Sequence, residues 1–112
     1  MPTEPHDSAA FEGVHQQADL VQYQSTAVVS RTLVKKPSGT VTAFAFDQGE
    51  SLSEHTAPFD ALVLVVEGDA EVKIAQTIHR IGAGQILRLP AGQPHELKAV
   101  TQFKMILIMI KA

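Results

Sequence analysis

The chain reads as an all-β sandwich or barrel, and three observations predict it. Short apolar stretches recur at close, regular spacing from about Leu20 to Ile110. Turn-forming clusters separate them: Pro37-Ser38-Gly39, Gln48-Gly49, Gly68-Asp69, Gly82-Ala83-Gly84 and Pro90-Ala91-Gly92. No stretch carries the 3.6-residue apolar period of an amphipathic helix, so the punctuated runs are read as strands.

Residues 1–17 are polar, carry two prolines and show no sustained period, which predicts a loose tail or surface segment holding His6 and His15. The remainder, 18–112, is read as one domain. Its candidate strands are 20–24, 27–34, 40–46, 51–56, 61–66, 70–75, 77–81, 85–89, 95–99 and 102–110. Glu71-Val72-Lys73-Ile74 alternates cleanly, so Val72 and Ile74 should face inward. Ala61 to Val66 is apolar on both faces, which predicts a central strand covered on both sides. Phe103 to Ile110 is also two-faced. Phe103, Met105, Leu107 and Met109 form one side and Ile106, Ile108 and Ile110 most of the other. One barrel buries only one of these faces, so a second layer is expected, and the prediction is a homodimer with this strand and its neighbours near the interface; the alternative is that the chain's own N-terminal strands cover it.

Bulk properties narrow the function. The 112 residues suffice for one core, and the absence of cysteine excludes disulfides, thiolate metal sites and cysteine nucleophiles. A net charge of −3 with both signs scattered argues against nucleic acid as a partner. No apolar run approaches the ~20 residues of a membrane span, and the N-terminus lacks a signal-peptide pattern. A cytoplasmic protein with no membrane partner is the expectation.

Two glycine-bounded segments carry the histidines of interest. The first runs from Gly49 through His55 to Gly68, and the second from Gly84 through Pro90 and Gly92 to His95. Together they resemble the paired motifs of the cupin superfamily, written G-x5-H-x-H-x3–4-E-x6-G and G-x5-P-x-G-x2-H-x3-N. The glycine, proline and first-histidine spacings match throughout. The resemblance implies a double-stranded β-helix, the RmlC-like jelly-roll barrel. In metal-binding members it implies three histidines and a glutamate as ligands. Here Ala57 stands at the second histidine position, Ala61 at the glutamate position, and Ala99 at the terminal asparagine.

Asp60 neighbours the glutamate position, but adjacent strand side chains point to opposite faces, so its carboxylate should look away from the pocket unless a bulge re-aims it; Glu54 and Glu67 meet the same difficulty. His55 and His95 are then the only metal ligands to name, for a weakly bound divalent transition metal such as Ni, Zn, Fe, Mn or Cu. The two alanines instead predict an apolar pocket bounded by His55, Ala57, Ala61, Val63 and His95. It would suit a small, mostly apolar ligand with one hydrogen-bonding or anionic group. The leading reading is a small-molecule-binding or sensing protein; the alternatives are a metal-dependent dioxygenase or isomerase using His55 and His95, and a non-catalytic structural dimer with a vestigial pocket. Pro58 and Phe59 are placed at the pocket mouth, and His79 at a solvent-facing strand position.

Overall fold

The computed structural model describes residues 11–111. His6 and the first ten residues of the proposed tail lie outside that range. Nine strands alternate along the described chain: β1 (Val28–Lys36), β2 (Gly39–Phe46), β3 (Ser51–His55), β4 (Asp60–Glu67), β5 (Asp69–Ile74), β6 (Thr77–Gly82), β7 (Ile86–Leu89), β8 (His95–Ala99) and β9 (Phe103–Ile110). They pair antiparallel in two sheets, a five-stranded one ordered β1-β2-β9-β4-β7 and a four-stranded one ordered β3-β8-β5-β6.

The core lies between the sheets and follows the two-residue period. Phe46, Phe103, Met105, Val63 and Val72 are its largest fully buried side chains. Phe46 stacks on Phe103 at 4.4 Å between ring centroids. Val72 and Ile74 face inward as their alternation predicts. Gly68 joins β4 to β5 at φ +80, and a Cβ there would lie 2.8 Å from the Phe103 Cα. Both the backbone angle and the space exclude a side chain at this turn.

The segment expected as a strand at 20–24 is not one. A 3-10 turn at Gln17–Asp19 leads into an irregular stretch whose Leu20 and Val21 pack, with Val29, Ala43 and Ala45, on the outer face of the five-stranded sheet. Polar contacts add to this packing, among them Arg31 Nη1 donating to the Leu20 carbonyl at 3.1 Å. Lys104, only 6% exposed, donates from Nζ to the Ala18 carbonyl at 2.5 Å and lies over the Tyr23 ring at 4.7 Å. Its Nζ is 3.9 Å from Glu67 Oε1, and the Tyr23 hydroxyl donates to Glu67 Oε2 at 3.0 Å. Burial, with Glu67 adding to it, raises the Tyr23 pKa, so the phenol stays protonated as that donor. A bulge between Val65 and Glu67 creates the arrangement by putting Glu67 directly opposite Lys104.

The expectation that β4 is covered on both sides holds for one side. Ala61, Val63 and Val65 are buried, whereas Leu62, Leu64 and Val66 keep partial exposure. The N-terminal segment covers only the Ala43–Ala45 end of the outer face, because its apolar side chains stop at Leu20, Val21 and Tyr23.

Candidate functional site

His55 ends β3 and His95 begins β8, and the two residues are directly opposite in the ladder. Their shared direction is not a matter of simple alternation. Leu52 pairs with Leu97 and His55 with His95, so three residues of β3 match two of β8. That extra residue is a bulge, and it brings His55 onto the same face as Leu52. Unbulged, position 55 would point away from the barrel.

The two imidazoles meet at Nε2···Nε2 3.1 Å, with ring centroids 4.3 Å apart and planes 70° to each other. Each Nδ1 faces a backbone carbonyl: Ser53 O at 3.1 Å for His55 and Gln93 O at 3.3 Å for His95. Carbonyl oxygens only accept, so satisfying all three contacts takes three protons on two rings and one positive charge. His95 is 6% exposed while His55 is exposed at the mouth. Burial, and after it the neighbouring His55, lowers the His95 pKa. His95 is thereby the ring disposed to stay neutral, donating from Nδ1 and accepting at Nε2.

Behind the pair is a cavity of about 180 Å³. Ala57 and Ala61 border it with the histidines, and Phe44, Leu89, Met105 and Met109 are among its remaining walls, all of which are apolar. The structure thus brings His55, Ala57, Ala61 and His95 to one cavity. Val63 is not on its surface. It shares the inward face of β4 with Ala61, but two residues further along it is sealed in the core at 0% exposure.

The mouth is built by the loop before β4 and the turn after β7. Gly92 N donates to Ala57 O at 2.8 Å, and Ala91 N to Asp60 Oδ1 at 2.8 Å. Asp60 therefore spends its carboxylate on the turn and stays exposed, as its parity predicts. Phe59 sits under Lys111, whose Nζ is 5.6 Å from the ring centroid. His79 departs from its expected solvent-facing position. It pairs with Val72 on the inward side of β6 and is partly buried, because β6 is an edge strand whose inner face is only partly roofed. His15 stays exposed and touches Glu12 O and the Phe11 ring.

The cation-handling potential of the site is limited by its donors. Among the described residues, no group of three or more His, Asp or Glu side chains converges on a point where a metal ion could sit. Two imidazoles fall short of the three protein ligands typical of catalytic zinc, and harder ions need more oxygen. The donor set does not fit a resident catalytic metal.

The Lys104–Glu67–Tyr23 cluster escaped the sequence reading. Its signal was present: a lysine inside the apolar run Phe103 to Ile110, on the outward parity, needs a partner to be buried.

Two antiparallel sheets closing on a cavity whose polar groups come from two glycine-bounded segments define a double-stranded β-helix barrel. A family model for the cupin domain matches residues 43–111, and the chain belongs to the cupin family. Solved structures agree along nearly the whole chain. A conserved protein of unknown function from Streptococcus pyogenes is 34% identical with a TM-score of 0.88, over 95% of this chain and 93% of that one. A cupin superfamily protein from Desulfitobacterium hafniense is 25% identical with a TM-score of 0.86, over 91% and 94%. A cupin 2 conserved barrel domain protein from Leptotrichia buccalis is 39% identical with a TM-score of 0.81, over 84% of this chain but 46% of that one. No curated protein matches the chain.

Proposed function

We propose that the protein binds a small, mostly apolar molecule bearing one anionic or hydrogen-bond-accepting group, held in the barrel cavity against His55 and His95. The observation that carries this reading is the contrast within one wall: two imidazoles facing each other at 3.1 Å in an otherwise apolar cavity of about 180 Å³. An apolar chamber with a few convergent polar groups is the common form of a ligand site. Its size sets the ligand's size, since an apolar cavity of about 150 Å³ admits benzene, so roughly six to eight non-hydrogen atoms fit. A carboxylate that displaces the Nε2···Nε2 contact would accept from both rings once His95 carries a proton on Nε2, either by taking one up or by giving up its Nδ1 contact with Gln93 O. The two-histidine donor set favours this over a metal-dependent oxygenase or isomerase.

The test is a thermal-shift comparison using benzoate and four-to-six-carbon carboxylates beside their amides and alcohols. A ligand at ten times its Kd contributes about 1.4 kcal/mol, a rise in Tm of roughly 6–10 °C. The wild type should respond to acids more than to alcohols, and His95→Ala should lose that preference. Equal responses from wild type, His55→Ala and His95→Ala would sink the proposal.

A further inference from the structure

The chain has three methionines, and the two beyond Met1 both border the cavity, from the inward side of β9. Leu107 stands between Met105 and Met109 on that side and is itself a cavity wall. Phe44 lies directly opposite Met105 in the ladder with β2, and Ala61 directly opposite Met109 in the ladder with β4. We propose that this wall selects a single aromatic ring, so that the molecule held at His55 and His95 is a one-ring aromatic acid. The inference rests on the reading of the cavity as a carboxylate site and adds the ligand's apolar half.

The spacing along β9 is the first support. Residues two apart on a strand stand ~6.8 Å from each other, so the Met105 and Met109 side chains rise at about that distance on either side of Leu107. A thioether sulfur makes its favourable aromatic contact ~5 Å from the ring, commonly at the edge. A ring standing over Leu107 thus has a sulfur within reach at each of two opposite edges, and methionine's rotatable bonds take up the difference. Phe44 supplies an aromatic neighbour on the same wall.

The choice of side chain is the second. Leucine fills an apolar wall with less loss of rotamer freedom than methionine, and the barrel uses it at the cavity positions 89, 97 and 107. Gap filling accounts for a methionine in a sealed place such as 105, which is 1% exposed. It does not account for Met109, which is partly exposed and borders open space. A polarisable sulfur facing that space favours a π-edge over a saturated chain.

Fit is the third. A cavity of about 180 Å³ takes a ring that needs ~150 Å³ and leaves room toward the histidines for a carboxylate. The small side chains of Ala57 and Ala61 keep that space open. A ring brings no internal rotors to immobilise, whereas a flexible alkyl acid of the same size must order its chain.

Titration calorimetry at pH 7.5 with benzoate and cyclohexanecarboxylate tests the proposal. The two acids share carbon count and charge, and the saturated one is the more apolar, so burial alone favours it. Wild type should bind benzoate about tenfold more tightly. Protein produced with norleucine in place of methionine exchanges sulfur for methylene at nearly constant volume, and beyond Met1 it changes only Met105 and Met109. Its benzoate preference should fall to about twofold, the share of Phe44, with cyclohexanecarboxylate affinity held within a factor of two. Met109→Leu, at the partly exposed position, should bring the preference to about fourfold. Equal or inverted affinities in wild type overturn the ring preference and leave the carboxylate site standing. A tenfold preference that survives both norleucine and Met109→Leu also overturns it, because shape alone would then be selecting the ring. If neither acid binds, the carboxylate site fails and the ring preference with it.

Discussion

The cavity makes a prediction in which stability and binding move in opposite directions. Ala61 is 5% exposed on β4, opposite Leu89 and Met109, and borders the cavity. Ala61→Leu adds roughly 80 Å³ of side chain to a space of about 180 Å³. The roughly 100 Å³ left is smaller than the ~150 Å³ that admits benzene, so ligand binding should disappear. Cavity volume costs about 24 cal/mol per Å³ in a sealed core, which gives a ceiling of about 2 kcal/mol for the gain. This cavity opens beside exposed His55, so the expected stabilisation is about 1 kcal/mol. Urea unfolding should show a higher midpoint with an unchanged m value, and the benzoate shift should vanish. A loss of 1 kcal/mol or more would mean that the space beside Ala61 is already filled and that leucine overpacks it. A variant that is more stable yet still responds to benzoate would put the ligand elsewhere.

Three further outcomes follow from the described contacts. The His95 pKa is held below its ordinary value by burial and then by His55, so the folded state binds fewer protons than the unfolded chain just below pH ~6.5. Stability should therefore be full above that pH, fall as the pH drops through it, and level off below the folded-state pKa; urea midpoints at pH 7.5 and 5.5 should differ more for wild type than for His95→Gln. Lys104→Met should cost about 1–2 kcal/mol, because it removes a charge-assisted bond to Ala18 O and the contact with Tyr23 while keeping apolar bulk. Amide exchange at Leu20 and Val21 should quicken in that variant, and unchanged exchange would show that apolar burial and the Arg31 bond to Leu20 O hold the segment without the lysine. Ala75 turns the β5–β6 hairpin at φ 53, so Ala75→Gly should stabilise by about 0.5 kcal/mol in the same urea assay, the relief of strain exceeding glycine's added freedom when unfolded.

Strands with clear alternation or a turn cluster at each end were legible in the sequence, because a two-residue period and a glycine at positive φ are local properties. The segment 20–24 was not. Its Leu20 and Val21 are apolar enough for a strand, yet they are placed by packing on Val29, Ala43 and Ala45, by Arg31 at the Leu20 carbonyl, and by a lysine more than 80 residues away that holds Ala18 O beside a bulge that turns Glu67 toward it. Bulges also separate the legible from the illegible part of the site. Parity excluded Asp60 correctly because β4 is regular at its start, where Asp60 pairs with Ile110 and Ala61 with Met109. The same parity applied to β3 would have set Leu52 and His55 on opposite faces, and only the extra residue between them reverses that. Motif spacing located His55 in spite of this, since the spacing already contains the bulge. Val63 was misplaced on the cavity surface because parity tells which face a residue takes, not how far along the strand the cavity extends.

The histidine pair makes the fold less comfortable, and that is the physical reason to read it as a site. His95 is 6% exposed and borders the cavity together with Leu97, Leu89 and Met105, and burial there disfavours its charged form and lowers its pKa. An apolar residue of similar volume at 95 would avoid that desolvation, and the polar contacts of the ring are His55 and the Gln93 carbonyl two residues away. His55 is exposed and adds little burial of its own. Lys104 is the opposite case, a buried cation whose contacts tie Ala18, Tyr23 and Glu67 together, so its cost is offset within the fold. Polar groups whose burial the fold does not need are where local rules are broken for function. In this barrel that criterion separates the two buried basic side chains: Lys104 is tied into the architecture, and His95, with His55 beside it, is the pair on which the proposed ligand site rests.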